Sequence, residues 1–106
     1  MTGLPLPHFV YILRCADDTL YTGWTTDLAA REKAHNEGRG ARYTAGRRPV
    51  RIVYTETCET RSDAQKREAA IKRWGRTKKE AVIVFWHSRG SGVTMRRARP
   101  RQEGRP

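Results

Sequence analysis

Two short segments near the start of the chain, residues 9–15 and 20–24, are rich in aromatic and aliphatic side chains. The four residues between them, 16–19, are mostly polar and include two aspartates. Strand-forming segments on either side of a short polar connection predict a β-hairpin. A third segment, residues 50–56, follows Pro49 and alternates apolar with polar positions, which predicts a third strand.

The chain after the hairpin carries the signals of a helix followed by a loop. Thr26 is expected to cap the helix N-terminus, with Asp27 in the first turn, where the helix dipole stabilises a carboxylate. Gly38 is expected to end this helix. Residues 38–48 then contain three glycines and four arginines, a composition that predicts a mobile basic loop able to meet phosphates.

Two further helices are predicted after the third strand. Thr60 or Ser62 begins the second helix in the manner of a capping box, and Gly75 is expected to end it. Thr77, with a glutamate three positions later, forms another capping box and is expected to begin a third helix over residues 78–86. The predicted fold class is therefore α/β (α+β).

The length of the chain limits the number of domains, and its net charge indicates the kind of partner. A chain of 106 residues holds one domain at most. Its formal net charge of +11 and sequence pI near 10.6 favour a polyanionic partner, with nucleic acid as the first expectation. No membrane partner is expected, because the sequence has no long apolar run and no basic helix with a lipophilic face.

Domain limits and cellular location follow from the ends of the chain and from its cysteines. Residues 1–7 are expected to form a short tail, residues 8–86 the folded domain, and residues 87–106 a disordered basic arm. The two cysteines, Cys15 and Cys58, fall on separate predicted strands, so we expect reduced core residues rather than a zinc site or a disulfide. The N-terminal segment lacks the features of a secretory signal, which indicates a cytoplasmic protein.

Dispersed matches along the chain resemble the GIY-YIG nuclease domain, in particular its small standalone bacterial branch. The first signature reads Phe9-Val10-Tyr11, with phenylalanine where the family has glycine, and the second reads Tyr21-Thr22-Gly23. The resemblance spans residues 10–84. Its other matching positions are Arg31 and His35 on one face of the first predicted helix, the loop sequence Ala41-Arg42-Tyr43-Thr44, the third strand, and Glu68 on the second helix.

The resemblance implies a small three-stranded, mainly antiparallel sheet flanked by helices. It also implies a GIY-YIG-type endonuclease, a divalent-metal-dependent phosphodiester hydrolase acting on DNA or, alternatively, RNA. Such small domains usually take their specificity from an attached module, and this sequence offers only a basic loop and a basic arm, so structure-preferring or broad cleavage, linked to DNA repair or processing, is expected. Its protein partners are not predicted.

The resemblance implies that Tyr11, Tyr21, Arg31 and His35 are catalytic. One tyrosine acts as general base or positions water, and the other helps to hold the phosphate; which is which stays open. A tyrosine base needs its pKa of about 10 to be lowered by nearby positive charge, or to be offset by a metal-activated water, and the many cations make such lowering reasonable. A guanidinium matches the non-bridging oxygens of a phosphodiester, and His35 can donate to the phosphate or relay a proton. By composition alone, each of the four is also an ordinary strand or helix residue.

Glu68 is the fifth catalytic candidate and the implied metal ligand. A lone carboxylate can hold Mg²⁺ or Mn²⁺ when waters and a substrate phosphate complete the octahedron. The alternative is a salt bridge to a neighbouring cation or to Arg31. Many family members also carry an asparagine after this glutamate, and no asparagine follows Glu68 here; Thr77 or Lys78 is a possible substitute.

Several basic and aromatic positions are nucleic-acid-binding candidates by the same resemblance and by their place in the basic loop. They are Arg42, Tyr43, Arg47, Arg48 and Lys72. Trp24 is a weaker candidate for stacking on an unpaired base.

The alternative function is a non-catalytic DNA- or RNA-binding module with a degenerate nuclease site, and the missing asparagine favours it.

Overall fold

The computed structural model describes residues 7–89, in which three strands and four helices are present. The elements, in chain order, are β1 His8–Arg14, β2 Leu20–Thr25, α1 Leu28–Asn36, α2 Arg42–Ala45, β3 Arg51–Cys58, α3 Arg61–Lys72 and α4 Arg76–Ser88. Their contacts divide the chain into a unit that ends at Trp74 and a second unit that begins at Gly75.

The three strands form one antiparallel sheet in the order β2-β1-β3. This arrangement confirms the predicted hairpin and the predicted α+β class. The central strand is buried on both faces, because Val10 through Leu13 are each at most 1% exposed although their side chains alternate between the two faces. A strand buried on both faces gives a rigid base for the side chains that it carries.

The sheet has two irregular features, a positive φ in the hairpin turn and a β-bulge between β1 and β3. At the hairpin turn the Cys15 amide donates to the Thr19 carbonyl over 2.8 Å, and Asp18 adopts a positive φ of 69°. In the β1–β3 pair the register shifts between Ile12 and Leu13, which leaves Val53 as an extra residue. Simple alternation predicted for residues 50–56 is therefore interrupted by a bulge, and Val53 is buried.

The core on one face of the sheet joins strand side chains to the first helix. It consists of Tyr11, Leu13, Cys15, Leu28 and Val50. Helix α3 contacts all three strands, and its Ala64 and Ile71 are fully buried. Both cysteines are free and buried, as predicted.

The N-terminal caps confirm one prediction and correct two others. Thr60 caps α3, because its hydroxyl accepts from the Asp63 amide over 3.0 Å. Asp27, not Thr26, caps α1: the carboxylate accepts from the Ala30 amide over 3.0 Å, so the acid bonds directly to a free amide of the first turn. Gly75 caps α4, so that helix starts before the predicted Thr77.

The predicted mobile loop and the predicted third helix both contain more helix than expected. Helix α2 lies within residues 38–48, and its Thr44 is fully buried, so this segment is anchored. Gly38, with φ of 85°, follows α1 as predicted. Helix α4 continues to Ser88, two residues into the segment predicted as an arm. The rest of that arm and residues 1–6 lie outside the described residues.

Helix α4 is stabilised within its own unit by pairs one turn apart. Arg76 pairs with Glu80 over 2.6 Å, and the Arg89 guanidinium lies over the Phe85 ring at 5.3 Å. No helix within residues 7–89 is both long and apolar enough to cross a membrane.

Candidate active site

The phenol of Tyr11 lies at the centre of the candidate site, and a glycine makes room for it. Tyr11 on β1 pairs directly with Gly23 on β2. A Cβ atom at position 23 would lie 2.5 Å from the Tyr11 Oη and 2.7 Å from its Cζ. The glycine of the second signature is therefore required because the tyrosine of the first signature crosses its backbone.

Helix α1 brings Arg31 and His35 to that phenol. His35 Nε2 lies 2.9 Å from the Tyr11 Oη, and the Arg31 Nε donates to the same oxygen over 3.4 Å. The Arg31 Nη2 also donates to the Gly40 carbonyl over 2.8 Å. His35 is fully buried and Arg31 is half-buried, so the three side chains form a chain of contacts that leads from the interior toward the surface.

The second imidazole nitrogen is bound by a residue that sequence reasoning did not select. The Thr44 Oγ1 on α2 lies 2.8 Å from the His35 Nδ1 and donates to the Ala41 carbonyl over 3.1 Å. A Cβ atom at Gly40 would overlap the imidazole ring, so the chain passes closely over His35 at this point. The only sequence signal for Thr44 was its place in the matched loop, since no helix was predicted there.

Burial and charge set the protonation states of this pair. Burial, aided by the positive charge of Arg31, lowers the pKa of His35 from 6.5 to about 4, so the imidazole is neutral near pH 7. Burial also raises the pKa of the Tyr11 phenol, and it outweighs the hydrogen bond and charge of Arg31; Tyr21 and Glu68 raise it further. The expected lowering of a tyrosine pKa is therefore wrong for Tyr11, because desolvation exceeds the effect of the nearby cation.

Glu68 lies on α3 with a side chain that is 22% exposed, and its charge reaches the Tyr11 phenol. It also pairs with Lys72 one helical turn later over 3.3 Å, which is the salt bridge expected as the alternative. Within residues 7–89 no three His, Cys, Asp or Glu side chains form a metal cluster. A single hard oxygen ligand fits Mg²⁺ or Mn²⁺ bound mainly through water and substrate, and does not fit a preformed cage.

A second group of aromatic side chains borders the Tyr11–His35 pair. The Tyr21 ring meets the His35 ring edge-on at 5.3 Å and stacks against Tyr43 at 5.9 Å. The Arg47 guanidinium lies 4.0 Å from the Tyr43 ring centre, and its Nε donates to Asp17 over 3.0 Å. The Arg47–Asp17 contact thereby joins residues 38–48 to the hairpin turn between β1 and β2, beside Tyr21.

The remaining candidates for nucleic-acid contact differ in how free they are. Arg48 donates to the Ala45 and Asn36 carbonyls, which fixes its guanidinium against the backbone. Arg42 is exposed, and no side chain or carbonyl among residues 7–89 forms a hydrogen bond or ion pair with it. A shallow cavity of about 600 Å³ lies beside Arg48 and contains none of the five catalytic candidates.

The three-stranded α+β domain brings the two signature tyrosines together with a helical arginine and histidine, and the charge of Glu68 on α3 acts on the Tyr11 phenol. This fold and these residue types are those expected of a nuclease domain. The GIY-YIG catalytic domain family matches residues 7–81, and the chain belongs to that family. Membership in a nuclease domain family implies a nucleic-acid substrate.

Thr77 and Lys78, the possible substitutes for the absent asparagine, lie in the second unit, so their role stays a prediction.

Relatives of similar size place the chain among small bacterial proteins. UPF0213 proteins of Staphylococcus aureus strains Mu3 and N315 are each 54% identical over 76 residues, which cover 72% of this chain and 93% of the relative. The solution structure of a UPF0213 protein from Bacillus halodurans matches with 38% identity and a TM-score of 0.52, covering 88% of this chain and 99% of that one. A solution structure of a protein from E. faecalis matches with 43% identity and a TM-score of 0.54, covering 81% and 92%.

Proposed function

We propose that this protein is a divalent-metal-dependent nuclease that hydrolyses phosphodiester bonds in DNA. The observation that carries the proposal is the hydrogen-bonded chain Arg31–Tyr11–His35, with the Glu68 carboxylate close enough to influence the same phenol. Each group in this chain has a function in phosphoryl transfer. The net charge of +11 supports a polyanionic substrate.

The buried pair provides a path for the proton of the attacking water. Neutral His35 is able to accept a proton at Nε2, and the Tyr11 Oη lies within hydrogen-bond distance of that nitrogen. As water attacks phosphorus, its proton passes to the Tyr11 oxygen while the phenolic proton passes to His35. Tyr11 ends the step protonated and His35 becomes an imidazolium, so the phenol need never exist as a free phenolate.

Substrate binding should make His35 a stronger base than it is in the free protein. The positive charge of Arg31 is one of the two causes of the low His35 pKa. A phosphodiester anion bound at Arg31 offsets that charge and raises the affinity of the imidazole for a proton. The base is therefore activated where the scissile phosphate is present.

Arg31 and Tyr21 are assigned to the substrate side of the site. Arg31 is half-buried, and its Nη1 forms no hydrogen bond among residues 7–89, which leaves a donor for a phosphate oxygen. Tyr21 is also half-buried and lies against the His35 ring, so its hydroxyl is assigned to the water or to the phosphate. The exposed Arg42, with the neighbouring Tyr43, Arg47 and Arg48 and with Lys72 beside Glu68, is assigned to the flanking nucleotides.

Glu68 would hold the Mg²⁺ or Mn²⁺ ion, and that ion would neutralise charge on the leaving oxygen. The carboxylate is partly exposed and is already paired with Lys72, so a phosphate that attracts Lys72 would free it. We expect weak metal binding in the absence of DNA. Structure-preferring cleavage in DNA repair or processing, in the cytoplasm, is the setting proposed for this activity.

Cleavage of a labelled DNA duplex under single-turnover conditions, with Mg²⁺ and with Mn²⁺, tests the proposal. Arg31→Ala and Glu68→Gln should each lower the cleavage rate by at least a hundredfold. Lys33→Ala removes a cation from the exposed face of the same helix, and Glu59→Gln neutralises an exposed carboxylate. Both control variants should cleave at the wild-type rate, and equal cleavage by all five proteins would contradict the assignment.

One observation favours a non-catalytic nucleic-acid-binding module as the second candidate. Tyr11 is 1% exposed and His35 is fully buried, as in a structural hydrogen-bonded core. Such a module would bind DNA or RNA in a salt-dependent manner and give no product with any divalent metal. Salt-dependent DNA binding by the wild-type protein, together with no product in the cleavage assay, would select this alternative.

A further inference from the structure

Thr44 is the last side chain in a series of hydrogen bonds that runs from Arg31 through Tyr11 and His35 and ends at the Ala41 carbonyl. Its hydroxyl has one proton, and the 3.1 Å contact with the Ala41 carbonyl, which has no proton of its own, is a hydrogen bond only when that proton is donated to the carbonyl. The same oxygen, 2.8 Å from the His35 Nδ1, can then only accept, so Nδ1 carries the imidazole proton. Nε2 is left as an acceptor, and the Tyr11 hydroxyl donates to it.

The opposite tautomer leaves a buried proton without a partner. If Nε2 carried the proton, it would donate to the Tyr11 oxygen, which already accepts from Arg31. The phenolic proton of Tyr11 would then have no acceptor among residues 7–89, although the side chain is 1% exposed. An unsatisfied buried donor is costly. The Nδ1–H tautomer is therefore favoured, because in it the protons of Thr44, His35 and Tyr11 are each donated to an acceptor.

We propose that Thr44 is a positioning residue that fixes His35 in the Nδ1–H tautomer and so keeps Nε2 open to the proton of Tyr11. Thr44 contacts no reacting atom in this assignment and acts through His35 alone. Its catalytic consequence rests on the proposed nuclease function, whereas the tautomer itself does not.

The local fold explains why this position suits a threonine. Helix α2 is a single turn, and Thr44 is its buried residue, so the hydroxyl cannot be replaced by water from the solvent. The bond to the carbonyl three residues earlier uses the hydroxyl proton within the turn. Valine has nearly the same shape but no hydroxyl, which makes Thr44→Val the informative substitution.

The tautomer can be measured directly by ¹⁵N NMR of the imidazole ring near pH 7, without DNA. We expect wild type and Thr44→Ser to show a protonated Nδ1 and an unprotonated Nε2. In Thr44→Val the Nδ1 proton loses its acceptor, so the population should shift toward Nε2–H. Tyr11→Phe, which removes the other partner, should keep the Nδ1–H form because Thr44 remains.

Cleavage under single-turnover conditions gives the second readout. Thr44→Val should lower the rate at least tenfold, and Thr44→Ser should restore most of it. A Thr44→Val protein with the wild-type tautomer would overturn the proposal, as would a tautomer change in Tyr11→Phe; if Thr44→Val does not fold, Tyr11→Phe still decides. Wild type with the expected tautomer but no cleavage would refute the nuclease function and leave the positioning role intact.

Discussion

Replacement of Gly23 by alanine tests whether the second signature exists to accommodate the Tyr11 phenol. The added Cβ would lie 2.5 Å from the Tyr11 Oη and 2.7 Å from Cζ, well inside normal contact. Relief requires a shift of the ring by about 1 Å. Because the Oη–Nε2 distance to His35 is 2.9 Å, such a shift breaks that bond.

The expected penalty follows from the groups that lose their partner. A buried polar group without its hydrogen bond costs about 1–3 kcal/mol, and both the phenol and the imidazole are buried. We therefore expect Gly23→Ala to lower the free energy of unfolding by about 1–3 kcal/mol. Displacement of the phenol should also lower the cleavage rate at least tenfold, a loss of about 1.4 kcal/mol in transition-state stabilisation.

Urea denaturation and single-turnover cleavage measure the two effects, and Gly46→Ala is the matched control. A Cβ at Gly46 meets nothing within 4 Å, so this variant should change stability by no more than about 0.5–1 kcal/mol and should leave cleavage unchanged. In a Tyr11→Phe background, which lacks the nearest atom, the penalty of Gly23→Ala should be smaller. Equal effects of the two glycine substitutions would refute the proposed steric role of Gly23.

Three further predictions follow from the charges around the site. His35 has a pKa of about 4 in the folded protein and 6.5 in the unfolded chain, so only the unfolded chain gains a proton between these two pH values. The free energy of unfolding should therefore fall by roughly 3 kcal/mol from pH 6.5 to pH 4 and then level off. Urea denaturation of wild type and of His35→Gln over this pH range should show the fall in wild type alone. Because bound phosphodiester offsets the charge of Arg31, the acid limb of kcat should lie at higher pH than that of kcat/KM; coincident limbs would contradict substrate activation. Arg42→Ala should reduce the slope of log affinity for DNA against log salt by about 1, and Arg47→Ala by less because Arg47 is paired with Asp17.

The sheet and most helices could be predicted because their signals are local. Aromatic and aliphatic content identified the two hairpin strands, alternation identified the third strand, and Thr60 identified the start of α3. The capping error at α1 arose because two adjacent residues both suit a cap: Asp27 caps the helix in place of Thr26 through a contact that only the folded backbone defines. The bulge at Val53 depends on pairing with β1, which no local pattern reports.

The resemblance selected Tyr11, Arg31 and His35, which the fold brings together, but it did not predict the electrostatics around them. Charge alone suggested that cations lower the pKa of a tyrosine, whereas burial of Tyr11 has the larger effect and raises it. Burial depends on how α1 packs on the sheet, which composition does not reveal. Thr44 was missed because a glycine- and arginine-rich segment predicts a loop, while its buried hydroxyl requires the single turn of α2.

The proposed metal position is the part of the account that a single measurement tests most directly. Mn²⁺ added to isotopically labelled protein with an uncleavable phosphorothioate oligonucleotide broadens NMR signals near the bound ion. We expect broadening of Tyr11 and Arg31 signals in wild type and in Glu59→Gln, and its loss in Glu68→Gln. Broadening that is unchanged in Glu68→Gln, or that centres away from Tyr11 and Arg31, would contradict a hydrolytic site at these residues.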